Sequence, residues 1–299
     1  MLLMLDLGQL KAFVEVAERG TVSHAAAALS YSGPAVSQQI SRLEKELGMA
    51  LFDRVGGRLR LNGHGERLLQ HAHRLLDLDE EARRDVTAVE PPAHTVIAGF
   101  ASALRSLVVP LVGAGAFAGT VEVLEAEDDA ALRELRLGHV DIAIIQDYDG
   151  LPTTKDDRLH VTQLVRDRLR LVTGAHHDAR VTLTDLQGSG WLVNGDGTRC
   201  EQATEAVLAR AGITPTITGR ISDNHTLLTL VAAGQGSTIV PELMLAHSPT
   251  DVTVSSQDLR ARRTILAVVR AAGADRHRAL VRTLASHARA AVASVRSVR

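Results

Sequence analysis

A cluster of small polar and basic side chains lies on one face of a predicted helix near the start of the chain. Pro34 suits the first turn of that helix, where its missing N–H costs nothing, and Gly48 suits its end. The polar residues are Ser37, Gln38, Gln39, Ser41 and Arg42. Hydroxyl, amide and guanidinium groups hydrogen-bond to base edges and phosphates. The cluster therefore predicts a nucleic-acid contact, with the solvated face of an ordinary helix as the alternative.

Two helices and a tight turn are predicted to hold this face. Apolar residues at helical spacing on its opposite side are expected to meet a core: Val36, Ile40, Leu43 and Leu47. In the preceding helix, capped by Thr21 or Ser23, three small residues allow close packing: Ala25, Ala26 and Ala28. Helices joined so tightly are typical of helix-turn-helix DNA readers. Residues at the helix ends therefore join the predicted contacts: Ser23, Ser32 and Pro34.

A short hairpin and a long helix follow. The hairpin has the glycine tip of a wing, and its arginines are predicted to share one polar face: Arg54, Arg58 and Arg60. We count Arg54 and Arg58 among the DNA contacts. Asn62 is expected to cap a helix from Gly65 to about Val89, with an apolar stripe of leucines: Leu68, Leu69, Leu75, Leu76 and Leu78. A helix this long usually pairs with a copy of itself, which predicts a homodimer.

This stretch resembles the LysR-type transcriptional regulators. The matching residues are Ala25-Ala26-x-x-Leu29, Pro34-x-x-Ser37-x-Gln39-Ile40-x-x-Leu43-Glu44, Leu47-Gly48, Leu51-Phe52-x-Arg54 and Leu61-Asn62-x-x-Gly65. Two positions depart from the family pattern. Gly33 stands where glutamine is frequent and can read DNA, and Asn62 replaces a threonine, which keeps the helix cap but can change a phosphate contact.

The resemblance implies three parts: a winged helix-turn-helix DNA-binding domain over 1–63, a dimerisation helix over 64–90 and an effector-binding domain over 91–299. It implies that the partners are double-stranded DNA, a small-molecule effector and further copies of the chain, as a dimer or tetramer. RNA polymerase is a further partner in this view. No cofactor, metal or catalytic residue is expected.

Length and composition agree with this division. The 299 residues suit two or three domains, and a net charge of −2 gives no global basic field. No apolar run is long enough to span a bilayer, and the first residues lack the basic region of a signal peptide, so we expect a cytoplasmic protein without membrane contact. The single cysteine, Cys200, excludes an internal disulfide, and we expect a packed, unreactive thiol.

After Pro91 and Pro92, which are expected to form a hinge, strand and helix patterns alternate. The alternation predicts an α/β fold with a mostly parallel sheet. It includes separate strands at 161–165 and 169–173. The resemblance implies two lobes like those of periplasmic binding proteins, lobe I over about 93–159 and 264–299 and lobe II over about 160–263.

A ligand in such a fold is expected at the carboxyl ends of strands, near helix N-termini. The residues predicted there are Ser102, Ala103, Asp128, Asn194, Thr198, Asn224 and Ser237. Ser102 fits the carboxylate effectors of related regulators, whereas the neighbouring Glu127 and Asp128 favour a cationic or hydroxyl-rich molecule. The simpler interpretation, which we favour, is that these two acids cap a helix and suit its dipole.

Two other classes of protein stay open. A two-lobed solute-binding protein predicts an export signal and no helix-turn-helix. A two-lobed cytosolic enzyme predicts a converging acid, base or nucleophile. The thirteen histidines lack partners at metal-ligand spacing, and no Gly-x-Ser-x-Gly elbow occurs. Effector identity, target genes and the direction of regulation stay open.

Overall fold

The computed structural model describes residues 5–56, 58–87, 94–117, 119–149, 156, 158–247 and 251–298. The chain forms two compact units. The first comprises residues 1–90 with 132–140, and the second residues 91–131 with 141–299. The predicted hinge at Pro91 and Pro92, and the predicted helix end near Val89, lie outside the described residues.

The first unit contains three short helices, a hairpin and a long helix. The helices are α1 (Leu7–Arg19), α2 (Val22–Leu29) and α3 (Gly33–Leu47). The hairpin strands β1 (Phe52–Val55) and β2 (Arg58–Leu61) pair antiparallel, and α4 (Gly63–Thr87) follows. The order of elements agrees with the sequence pattern.

Side-chain caps define where the three short helices begin. The caps are Asp6, Thr21 and Ser32, whose oxygens accept the backbone N–H groups of Gln9, His24 and Ala35. Of the two candidate caps for α2, the structure therefore uses Thr21. Fully buried side chains join the helices into one core: Leu10, Phe13, Ala25, Val36 and Leu43. The prediction for Ala28 is wrong, because its side chain is exposed on the outer side of α2.

The leucines of α4 divide between two faces, so the predicted single stripe is wrong. Leu68, Leu69 and Leu76 pack against the core of the first unit, beside the buried Ala72. Leu75 and Leu78 are exposed, as are Ala82 and Val86 further along the helix. The spacing of three and four residues places these four on a second apolar face.

The second unit is built on a mixed seven-stranded sheet. The strands are β3 (His94–Gly99), β4 (Thr120–Glu125), β5 (Ile142–Tyr148), β6 (Leu159–Gly174), β9 (Thr238–Pro241), β10 (Val252–Val254) and β11 (Arg262–Arg270). Their order in the sheet is β10-β6-β11-β5-β3-β4, and β9 also pairs with β6. Strands β3, β4 and β5 are parallel, whereas β6 and β11 pair antiparallel with their neighbours. The prediction of a mostly parallel sheet is therefore wrong. The long strands β6 and β11 run antiparallel to their neighbours and so need no helical crossover between them.

Strand β6 is one strand of 16 residues, not the two strands predicted. The residues between the two predicted strands include the polar run Arg166-Asp167-Arg168. Its two arginines are exposed and Asp167 is buried, which is ordinary strand alternation. The first part of β6 pairs with β11 and the last part with β9 and β10. Two further strands, β7 (Gly190–Val193) and β8 (Thr216–Arg220), pair in parallel. Strand β7 was not predicted from the sequence.

Helices flank these strands. A helical stretch after β3 consists of α5 (Ala101–Ala103), a π turn (Leu104–Val108) and α6 (Val109–Gly113). The others are α8 (Arg199–Arg210), α9 (Asn224–Ala232) and α10 (Ala274–Val298). Helix α7 (Asp128–Arg136) begins in the second unit, and from Leu132 onward its residues belong to the first. The π turn ends two residues before Pro110, and both features are common causes of a deformed helix. Within the described ranges, no helix is long and apolar enough to cross a membrane.

Candidate nucleic-acid interface and ligand cavities

Helix α3 has one buried side and one polar, exposed side. Val36, Ile40 and Leu43 are buried. The exposed side carries the residues that we call the recognition face: Ser37, Gln38, Ser41 and Arg42. Gln39 lies half-buried at its edge, and Pro34 is exposed in the first turn. The structure thus brings the predicted contact residues of α3 onto one accessible surface.

The turn before α3 has a defined backbone. Ser30 adopts the left-handed conformation with φ 55°, and the next N–H, of Tyr31, donates to the carbonyl of Ala26 at 2.9 Å. The hydroxyl oxygen of Ser32 accepts the N–H of Ala35 at 3.3 Å, and its hydrogen remains to donate. Ser23 is exposed in the first turn of α2.

The wing presents its arginines on two faces, which corrects the prediction of one polar face. Arg58 pairs opposite Val55, whereas Arg54 pairs opposite Leu59 one position along. Because neighbouring positions of a strand point to opposite faces, Arg54 and Arg58 lie on different sides of the hairpin. Both side chains are exposed.

Asn62 and Gly65 fasten the start of α4 to the wing. The Asn62 side chain donates to the carbonyl of Ala50 at 3.0 Å, and its oxygen accepts the N–H groups of His64 and Gly65. A Cβ on Gly65 would lie 2.3 Å from the carbonyl oxygen of Leu51. Only glycine permits this approach. The contacts of Asn62 and Gly65 therefore give a physical reason for the residues at these two positions of the motif.

In the second unit, the predicted ligand residues divide between two cavities. The first cavity, of 290 Å³, is lined by Ser102 and Asn224 together with Arg105, Ser106 and His225. The second cavity, of 430 Å³, is lined by Asp128 and Thr198 together with Glu127, Asp196 and Arg199.

Three predicted ligand residues line neither of these two cavities. Asn194 is buried; its Nδ2 donates to Oδ1 of Asn224 at 3.0 Å, and its own Oδ1 has no hydrogen-bond partner in the part of the chain described. Ser237 is buried, with its backbone bonded to Gly190 and Leu192. The prediction for Ala103 is wrong, because its side chain is fully buried in the apolar core behind β3.

A buried hydrogen-bond network connects the two cavities. Arg263 on β11 donates to Ser102 Oγ at 3.2 Å and to the Gln146 side-chain oxygen at 3.2 Å. The backbone N–H of Gln146 donates in turn to the Asp128 carboxylate at 3.2 Å. Ser102, at the first cavity, therefore lies three hydrogen bonds from Asp128, at the second cavity.

Arg263 forms a buried ion pair with Asp167, its direct cross-strand neighbour, at 2.7 Å. Burial lowers the pKa of Arg263, but Asp167 more than compensates and holds that pKa above its ordinary value. Its guanidinium also lies 5.2 Å from the centre of the Phe100 ring. Sequence reasoning missed both residues of the pair. The sequence signal that could have revealed the pair was a charged residue at an inward-facing position of each strand, Asp167 in β6 and Arg263 in β11.

Asp128 is the most perturbed acid of the second cavity. Burial raises the pKa of Asp128 to about 7, although the Gln146 N–H and nearby Arg199 oppose the rise. Arg199, the first residue of α8, lies 3.8 Å from Asp128 and 3.9 Å from Asp147. The carboxylate accepts the Gln146 N–H of β5, so Asp128 does more than suit the dipole of α7, in whose first turn it stands.

Cys200 is buried in the second unit. Burial raises the pKa of its thiol, and the bond with Tyr148 offsets the rise only in part. This places Cys200 among packed thiols. Within the described ranges, no group of three or more His, Cys, Asp or Glu residues is arranged to hold a metal ion.

Comparison with known families decides the class of protein. The model of the lysR family of bacterial regulatory helix-turn-helix proteins matches residues 7–66, and the LysR substrate binding domain matches residues 119–293. The chain belongs to the LysR family of transcriptional regulators. It is thus a regulator with a DNA-binding helix-turn-helix and an effector-binding domain, and members of this family act as oligomers. The predicted family and fold class are confirmed.

Individual LysR-family relatives align over most of the chain. The transcriptional regulator ShiR of Corynebacterium glutamicum is 30% identical over 247 residues, which cover 79% of this chain and 82% of the relative. A solved structure of the OxyR C206 mutant from the same organism is 25% identical, with a TM-score of 0.60 and coverage of 98% and 95% of the two chains. Full-length CbnR in complex with its target DNA is 22% identical, with a TM-score of 0.51 and coverage of 96% and 100%.

Proposed function

We propose that the recognition face of α3 enters the DNA major groove and that the wing contacts the backbone beside it. The observation that carries this proposal is the exposure of Ser37, Gln38, Ser41 and Arg42 on one side of a helix whose other side is core. Helix-turn-helix proteins dock their second helix in this way. Two copies paired through α4 would place two such faces on successive half-sites. A tetramer built from two dimers extends the same arrangement.

The test is selection of duplexes from a random-sequence library, followed by fluorescence anisotropy at two salt concentrations. Ser37→Ala with Gln38→Ala is expected to lower affinity for the selected duplex by about tenfold or more, since two polar contacts with bases are lost. Gln187→Ala with Ser189→Ala, a serine and glutamine pair in the second unit, is the matched control. Failure to enrich any duplex, or equal affinity for both double variants, contradicts the proposal.

We further propose that the first cavity binds the effector through a group that accepts hydrogen bonds. Because Arg263 donates to Ser102 Oγ, the hydroxyl hydrogen of Ser102 is the one left to donate into the cavity. Ser106 and Arg105 line the same cavity with further donors, and two carboxylates, Glu125 and Asp223, line it as well. Because Asp223 Oδ1 already accepts the N–H and the hydroxyl of Thr226, the donors of Ser102, Ser106 and Arg105 still fit a small molecule that carries an oxyanion.

Thermal-shift screening of small carboxylates, phosphates and neutral amides tests the choice of ligand. Compounds that bind are expected to raise the melting temperature of the wild type and not of Ser102→Ala or Arg105→Ala. Asp196→Ala, in the second cavity, serves as the matched control. Binding by neutral or cationic compounds alone would contradict an oxyanion site.

The same observations favour a regulator over the alternatives. The relatives are transcriptional regulators, and a solute-binding protein has no use for the helix-turn-helix. We propose that the chain acts in the cytoplasm, together with its DNA, by binding and not by catalysis. Incubation of the protein with any ligand found by screening, followed by mass spectrometry, checks that the ligand is recovered unchanged.

A further inference from the structure

We propose that Tyr31 is a sequence-reading residue, whose ring packs against the methyl group of a thymine in the major groove. Tyr31 lies in the turn between α2 and α3, one residue before the cap of α3. In a helix-turn-helix, the N-terminal end of the second helix contacts base edges. Tyr31 therefore stands beside the surface that reads sequence.

The exposure of this ring is exceptional in the chain. All seven aromatic residues belong to the described part of the structure, and Tyr31 is the only one that is exposed, at 54%. The phenol forms no hydrogen bond with any described residue, and the ring belongs to none of the apolar clusters. More than half of the Tyr31 surface is therefore free for a contact outside the described fold.

The backbone holds the ring in a defined place. The left-handed Ser30 turns the chain, and the bond from the Tyr31 N–H to the Ala26 carbonyl ties the turn to α2. Gly33 follows, and a Cβ built there would meet nothing within 4 Å. The surface beside Tyr31 is therefore open enough for the edge of a base pair to come close.

The chemistry of the ring selects the base. A major groove presents one apolar group, the C5 methyl of thymine, and apolar side chains recognise thymine through it. The recognition face supplies hydroxyl, amide and guanidinium groups, and Pro34 is a small exposed apolar residue in the first turn of α3. Tyr31 adds a larger apolar surface beside them, so the preferred sequence is expected to contain a thymine at one position of each half-site.

The test combines protein and DNA variants on the duplex selected by the wild-type protein. Tyr31→Ala is expected to weaken binding by about fivefold, the effect of one lost base contact, while Tyr31→Phe keeps full affinity. Replacing each thymine in turn by deoxyuridine, which lacks the methyl group, is expected to weaken wild-type binding at one half-site position. The same replacement should leave the affinity of Tyr31→Ala unchanged. Val161→Ala, at an exposed apolar residue of the second unit, is the control.

Two results would overturn the proposal. If Tyr31→Ala binds as tightly as the wild type while circular dichroism shows an intact fold, the ring contacts no base. If Tyr31→Phe loses as much DNA affinity as Tyr31→Ala, and the salt dependence of binding falls by the amount expected for one phosphate contact, then the hydroxyl binds the DNA backbone. Such a contact carries no sequence information. Either result leaves DNA binding by the recognition face untouched, so the two proposals are tested separately.

Discussion

Gly33 shows how one side chain can set what a DNA-binding helix reads. Its backbone lies outside the left-handed region, and a side chain there meets open space. We expect Gly33→Gln to fold normally and to gain an amide that pairs with adenine. Repeating the library selection with this variant should change the preferred base at one position of each half-site. An unchanged preference would show that position 33 lies away from the DNA.

The core of the second unit contains the buried ion pair of Arg263 with Asp167, and the stability of this unit depends on both partners being present or both being replaced. Arg263→Met leaves Asp167 buried without its partner, which costs about 3–5 kcal/mol, whereas Arg263→Met with Asp167→Leu should recover most of that loss. The single tryptophan, Trp191, is fully buried in this unit, so its fluorescence reports unfolding of this unit in urea. A double variant as unstable as the single one would show that the network matters beyond the pair.

Asp128 makes the stability of the second unit depend on pH. Its pKa rises from 3.8 to about 7 on folding, so between these values the folded state holds a proton that the unfolded state has lost. Stability therefore falls as pH rises through this window, by about 3 kcal/mol from pH 5 to pH 8. Urea unfolding followed by Trp191 fluorescence checks this expectation. Asp128→Asn should remove most of this slope, and Asp129→Asn should keep it.

At the scale of elements, the junction of the wing and α4 depends on a glycine. A methyl group on Gly65 would collide with the Leu51 carbonyl, so Gly65→Ala is expected to destabilise the first unit by about 1–3 kcal/mol. Gly63→Ala, two residues earlier on the same helix, meets nothing within 4 Å and is the matched control. Thermal melting by circular dichroism and DNA affinity should both separate the two variants. Equal behaviour would contradict the steric argument.

The elements of the first unit could be predicted from sequence because their signals are local. Thr21, Ser32 and Asn62 each cap a helix by accepting the backbone N–H that lies three residues further along the chain. The faces of the wing were not predictable, because they depend on register: Arg54 and Arg58 differ by one pairing position. In α4, composition alone did not separate core leucines from exposed ones.

The second unit was harder because its contacts join distant parts of the chain. The bond between Arg263 and Asp167 spans 96 residues, and it depends on the antiparallel register of β6 with β11. Each residue alone reads as an ordinary surface charge. Ser102 and Asn224 were placed beside a cavity by the simpler rule that ligands collect at strand ends, whereas Ala103, adjacent to Ser102, turned into the core.

At the scale of the whole molecule, the second apolar face of α4 predicts how copies associate. We expect Leu78→Asp to dissociate the dimer, since Leu78 is 60% exposed in the single chain and aligned with Leu75 and Val86. Light scattering coupled to size exclusion measures the mass directly. Gln70→Asp, an exposed position of α4 outside this face, should leave the mass unchanged. A dimer that persists in Leu78→Asp would move the main interface elsewhere.

Because α4 is attached to the wing at its first turn, a tilt of this helix moves the wing with it. Its 25 residues span about 37 Å, and the Asn62 hydrogen bond to Ala50 and the close approach of Gly65 to Leu51 hold its first turn against the residues that lead into the wing. A tilt of about 10° between paired α4 helices would therefore move the attached wing by about 6 Å over that length, nearly two base-pair steps of about 3.4 Å. Small changes far along α4 would in this way become a change in which operator spacing fits.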